Sequence, residues 1–245
     1  MTDWISIAVV VVFFGATLVR SAFGFGEALI AVPLLALVLP VKVAAPVAVL
    51  CSITVAAVVL AQDWRDVHLH SATRLILWTL LGIPLGLVLL RIGSESFVKG
   101  ALGILVAGFS MSALRHAGSL RLHDDRRAWI FGVVAGVLGG AYGMNGPPLV
   151  MYGSLRRWSP EQFRATLQGY FLPASVIGFA GYWVAGLWTP IVTRYYLLSL
   201  PTALLAIGLG RAINRRLDAA RFLVYIHFGL IASGAVLLLQ ALLGA

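Results

Sequence analysis

Charge is what this chain has least of. Only 11% of its 245 residues are Asp, Glu, Lys or Arg, against about 25% in a soluble domain. Acids are scarcer still, nine Asp and Glu against 18 Lys and Arg. With 60% hydrophobic residues, this excludes an ordinary soluble domain and reads as an integral membrane protein. A net charge of +9 would suggest nucleic acid in a soluble chain. Here the basic residues lie between apolar runs, where cytoplasmic loops explain them, and no nucleic-acid partner is expected. The one cysteine, Cys51, lies inside an apolar run. That excludes an intrachain disulfide and a cysteine metal cluster, and reads as a buried structural thiol.

Catalytic motifs are missing too. No P-loop is present, so ATP drive within the chain is not expected. Ser175, Ser199 and His227 are scattered, with no nucleophile elbow, and the apolar runs hold no aspartate pair. An enzyme is therefore not expected, nor a cofactor. His68 and His70 flank Asp66, and His116 and His123 sit in a basic stretch. None has a zinc spacing, so no metal is expected and these histidines read as solvated. His227 lies in the last apolar run, as a proton relay or a packing histidine.

What the chain does have is ten apolar segments, at roughly 4–19, 27–39, 43–61, 75–90, 97–114, 128–141, 147–155, 165–187, 195–210 and 222–243. Two breaks interrupt them. Gly139-Gly140-Ala141-Tyr142-Gly143-Met144-Asn145-Gly146-Pro147-Pro148 is echoed by Ser21-Ala22-Phe23-Gly24-Phe25-Gly26-Glu27, with Ala22, Phe23 and Gly24 falling on Ala141, Tyr142 and Gly143 at a shift of 119. Glycine permits positive φ and close backbone approach. Paired prolines end a helix and remove two donors. Broken backbone at membrane depth is tolerated only where protein or a polar cavity covers it. Paired breaks in two halves point to a transporter's binding site.

Four segments beside the breaks are short. Segment 147–155 would rise only about 14 Å, near half the hydrocarbon thickness. Each break is therefore expected to be the tip of a re-entrant helical hairpin, and the six other segments to span. The fold expected is an all-α integral membrane protein of two inverted repeats, each one broken hairpin plus three spanning helices. Residues 1–114 form the first repeat, 115–127 a basic cytoplasmic linker, and 128–245 the second repeat. The basic residues support the layout. Two follow the first span, four fill the linker, three follow the second hairpin and four precede the last helix, thirteen on one face. Lys42, Arg91, Lys99 and Arg194 fall on the other, and Arg20 on neither. The positive-inside rule makes the first face cytoplasmic and puts both termini outside. An odd number of crossings per half inverts the second repeat.

Charges at membrane depth are functional candidates by default. Arg20 sits beside the first break, as a counter-charge for an anion or as a partner of Glu27 that holds the hairpin. Glu27 is the only carboxylate far from a basic loop and is the candidate for proton coupling. Half-helices starting after Glu27 and at Pro147 offer N-termini with positive dipole and free N–H groups. The expected anion site lies between the tips, built from Arg20, Phe23, Gly24 and Gly26 of the first and Tyr142, Gly143, Asn145 and Gly146 of the second. Phe23 and Tyr142 are expected to wall it, and Asn145 to donate. Arg164, with Thr166 and Gln168 close behind, is a further candidate or a snorkelling residue.

These motifs, with Pro33, Pro160 and Arg164, resemble the TauE/SafE, or sulfite exporter, family of membrane transporters over roughly residues 8–243. The resemblance implies a secondary transporter moving small sulfur-containing anions, sulfite or organosulfonates, by export across a bacterial cytoplasmic membrane, and a homodimer. The reading from another class is a non-transporting membrane assembly or insertion factor.

Overall fold

A computed structural model describes residues 3–63, 67–115, 122, 124–214 and 219–243. All regular structure among them is helical. Ten helices follow in order: α1 Asp3–Phe23, α2 Glu27–Ala36, α3 Val41–Asp63, α4 Leu69–Ile92, α5 Glu95–Arg115, α6 Ala128–Tyr142, α7 Gly146–Leu155, α8 Pro160–Val184, α9 Pro190–Asn214 and α10 Ala219–Leu243. Both breaks fall where the sequence puts them. α1 ends at Phe23 and α6 at Tyr142, α2 starts at Glu27 and α7 at Gly146, α3 starts at Val41 and α8 at Pro160. Each of these pairs is 119 residues apart. The cause is local. Gly24, Gly26 and Gly143 take φ of 86°, 103° and 67°, a region closed to most L-residues. Gly24 and Gly143 also meet equivalent neighbours. A β-carbon on Gly24 would lie 3.3 Å from Arg164 Cα, and one on Gly143 would lie 3.1 Å from the Ala45 carbonyl oxygen. Ala45 and Arg164 are themselves 119 apart.

Among the described residues six helices are long and apolar enough to cross a membrane: α1, α3, α4, α5, α9 and α10. Two differences from the sequence expectation follow. Segment 4–19 is not a short hairpin arm. α1 continues through Arg20 to 21 residues, about 31 Å, because Glu27 neutralises Arg20 within the protein. The hairpins are therefore lopsided, 21 residues against ten in the first and 15 against ten in the second. α8, expected to span, has the length at 25 residues but is not among the six. Its N-terminal half carries Gln162, Arg164 and Gln168 and packs among α3, α4 and α6, while Val176, Trp183 and Val184 of its C-terminal half are exposed.

Each hairpin's first arm packs on the other half of the chain. α1 lies along α9, and α6 along α4. α5 pairs with α10, and α3 with α8 at the centre, flanked by α9 and α4. These pairings map onto themselves when α1–α5 is exchanged with α6–α10. The α4–α6 contact is a seam of glycines, Gly82 and Gly86 against Gly132, Gly136 and Gly140, spaced four apart. Without hydrophobic drive between helices in lipid, close backbone approach supplies the association. Thr79 reinforces the seam, donating to the Gly132 carbonyl at 3.0 Å or to the Leu75 carbonyl of its own helix at 2.8 Å.

Candidate functional site

Arg20 stands in the last turn of α1 and is 3% exposed. A lone guanidinium there would be costly, and four groups offset the cost. Its Nη1 donates to Glu27 Oε2 at 2.5 Å and to Ser52 Oγ at 2.8 Å. Its Nη2 donates to Gln168 Oε1 at 2.9 Å. Its guanidinium carbon lies 4.9 Å from the centre of the Phe171 ring, within cation–π range. Among the described residues its Nε is buried with no hydrogen-bond partner. Glu27, 2% exposed, also accepts from Thr17 Oγ1 at 2.7 Å. Gln168 donates to the Gly24 carbonyl at 2.7 Å, and Ser52 shares a 3.0 Å bond with Ser175. The first hairpin tip is thus held by α3 of its own half and α8 of the other.

The two tips meet. One cavity touches Arg20, Gly26 and Glu27 of the first and Gly143, Asn145 and Gly146 of the second, with Ser52, Phe25 and Phe171 beside them. Its volume is about 20 Å³, room for roughly one water molecule. On the first side, α2 presents the N–H groups of Glu27, Ala28 and Leu29, which precede the first helical bond, from Ile30 N–H to the Gly26 carbonyl at 3.0 Å. No side chain caps them. On the second side the donor count is smaller than the sequence reading assumed. α7 begins at Gly146, which puts Pro147 and Pro148 at its second and third positions, and neither has an N–H. Asn145 is 6% exposed; its amide Nδ2 lies 3.5 Å from Tyr170 OH, and its side chain fills the space beside Gly139. A larger groove of about 440 Å³, bounded by Val11, Gly15, Val19, Leu34, Ile226 and Leu230, is almost wholly apolar and offers an anion no donor.

Four expected residues lie off the cavity. Tyr142 is buried in the core and donates to the Val98 carbonyl on α5 at 3.2 Å. Phe23 closes α1 and does not line the cavity. Phe25 and Phe171 supply the aromatic walls instead. Gly24 lies behind the tip, with the Arg164 stem packed against it, so Arg164 braces the hairpin from α8. Reading the sequence missed Ser52, Phe171 and Ser175 and gave Gln168 no specific partner. The available signal was the spacing of Arg164, Gln168, Phe171 and Ser175, which puts them on one helix face.

A second polar cluster lies at the other end of α7. Asp125, 8% exposed, accepts from Ser71 Oγ at 3.1 and 3.2 Å and from Tyr152 OH. Arg156 Nε lies 3.3 Å and His70 Nε2 3.6 Å from it. His68 caps α4, accepting from Ser71 N–H at 3.4 Å, and stacks on Trp158. His68 is therefore structural rather than merely solvated, whereas the His70 side chain is 65% exposed, as the sequence reading expects; His116 and His123 lie outside the described residues. Burial pushes the Asp125 carboxyl up, but the Tyr152 and Ser71 hydrogen bonds, with Arg156 and His70, outweigh it and hold it below the ordinary value. A depressed carboxylate stabilises the fold above its ordinary pKa, about 3.9, and that contribution is lost as pH falls through the folded value. Asp125→Asn is expected to lower thermal stability in detergent at pH 7, with the gap to wild type narrowing below about pH 4. A gap independent of pH would show that the charge contributes nothing.

The family model described as Sulfite exporter TauE/SafE matches residues 8–237. No curated protein and no solved structure matches the chain. A match over nearly the whole chain, on a helical protein with six helices able to cross a membrane, makes this a multi-pass membrane transporter rather than an enzyme, and the chain belongs to the TauE/SafE sulfite exporter family.

Proposed function

We propose that this protein is a secondary transporter that exports sulfite or a small organosulfonate, binding the anion between the two hairpin tips. The observation that carries the reading is the meeting of two half-helix N-termini with buried Arg20 at one cavity. Helix N-termini and a guanidinium both favour negative charge. Arg20 is already matched by Glu27, and the cavity holds about one water molecule. Binding therefore requires the tips to part and Glu27 to release Arg20. Protonation of Glu27 would do so, which couples the anion to a proton.

The test is flux of sulfite or methanesulfonate into liposomes containing the purified protein, without ATP. Asn145→Ala is expected to weaken anion binding roughly ten- to a hundred-fold, the effect of one hydrogen bond to a charged group. Glu27→Gln is expected to abolish proton-linked flux and spare exchange. No flux across a panel of sulfur anions by folded protein favours the assembly-factor reading. Unchanged pH dependence in Glu27→Gln removes the coupling.

The same reading makes the halves inverted repeats, with the 115–127 linker cytoplasmic and the membrane that of a bacterial cell. A cysteine at exposed Asp124, in a Cys51→Ser background, is expected to label from the cytoplasm alone; labelling from outside reverses the orientation. A homodimer would give two such sites per particle.

A further inference from the structure

The cavity has unequal walls. The wall made by α2 offers three backbone N–H groups, at Glu27, Ala28 and Leu29, beside Arg20 and its unpartnered Nε. The first N–H groups of a helix point back along its axis toward whatever lies at its N-terminus. The wall made by α7 is also a helix N-terminus but lacks the donors at its second and third positions, because these are Pro147 and Pro148. Pro147 lines the cavity directly, next to Met144 and Phe171. One pole of the site is thus built for oxygens, and the other presents mainly carbon, with Gly146 N–H and Asn145 at its edge.

We infer that Pro147 is a specificity-determining residue: it selects anions with oxygens on one side only, and disfavours those with oxygen at every corner. The inference rests on the proposed anion site. Sulfite carries three oxygens on one side of sulfur and a lone pair on the other. A sulfonate carries carbon at the fourth corner, and thiosulfate carries sulfur. Each can direct its oxygens to Arg20 and α2, and its poor acceptor to Pro147. Sulfate has no such corner. Its fourth oxygen would be stripped of water against a proline ring, and a buried acceptor without a donor is penalised. Thiosulfate and sulfate carry the same charge, so the comparison between them isolates that corner.

The experiment is calorimetric titration of purified protein in detergent at pH 6 and at pH 8 with sulfite, methanesulfonate, thiosulfate and sulfate. Wild type is expected to bind thiosulfate at least about tenfold more tightly than sulfate, the order of one hydrogen bond to a charged group. Pro147→Ala restores an N–H at the second position of α7 and is expected to narrow that ratio to near unity. Pro147→Gly restores the same N–H and serves if the alanine variant does not fold. Equal binding of sulfate and thiosulfate by wild type overturns the inference while leaving the anion site standing, as does an unchanged ratio in the folded variant. Failure of wild type to bind any of the four overturns the anion site itself, and the inference with it.

Discussion

Arg20→Met, with Glu27 left in place, is expected to cost about 3–5 kcal/mol of stability, the penalty for stranding one member of a buried ion pair. Glu27 would keep only Thr17 as a donor, at 2% exposure, and Gln168 and Ser52 would each lose a bond that now reaches Arg20. The double variant Arg20→Met/Glu27→Leu is expected to behave differently. Replacing both charges by apolar groups of similar volume is often neutral or stabilising, and Ser52 keeps Ser175 while Gln168 keeps the Gly24 carbonyl. The double variant should therefore fold and have no measurable anion binding. Thermal unfolding in detergent beside anion titration separates the two effects. A double variant that still binds the anion would remove Arg20 from the site. One no more stable than Arg20→Met would mean that the pair matters to the fold beyond its charge balance.

Gly136→Leu is expected to give little or no folded protein. A single β-carbon there would sit 2.8 Å from Gly82 Cα and clash with the Thr79 carbonyl. Both obstacles are backbone, so no rotamer change relieves them and α4 and α6 must move apart. Overpacking typically costs about 1–3 kcal/mol. This case lies at or above the upper end, because separation opens all five glycine contacts and breaks the Thr79 bond to Gly132. Gly108→Leu is the control, since a β-carbon there meets nothing within 4 Å. Size-exclusion profile and melting temperature distinguish the two. A Gly136→Leu protein as stable as wild type would mean that α4 and α6 do not meet along this seam.

That seam shows where sequence reading stops. The glycine spacing is visible in the chain, but its partner helix is not, because α4 and α6 lie in different halves of the sequence. The expectation of three spans and one hairpin per half grouped helices by sequence, whereas α1 packs on α9 and α6 on α4. The Asp125 cluster was hidden for a similar reason. In a basic linker an aspartate reads as solvated, and only the approach of Ser71 and Tyr152 makes it a buried acceptor. Phe23 and Tyr142 fall on positions 119 residues apart, yet both lie off the cavity, while Phe25, two residues beyond, reaches it. Which way a ring points at a helix end depends on where the helix stops and what packs beside it.

The sequence by itself determined the membrane class, the two breaks, the 119-residue offset between them and the rarity that singles out Arg20 and Glu27. Each follows from composition or from local backbone chemistry, since glycine at positive φ and paired prolines act on their own stretch of chain whatever surrounds them. Tertiary structure decided the partners. Gln168 and Phe171 come from the other half of the chain, nearly 150 residues from Arg20 in sequence. Ser52 comes from α3. Ser52 and Phe171 are ordinary residues that nothing in their types marks, and Gln168, a candidate beside Arg164, had no legible partner. They became a site because burying one guanidinium requires acceptors, and only the approach of side chains from α3 and α8 to the end of α1 could supply them.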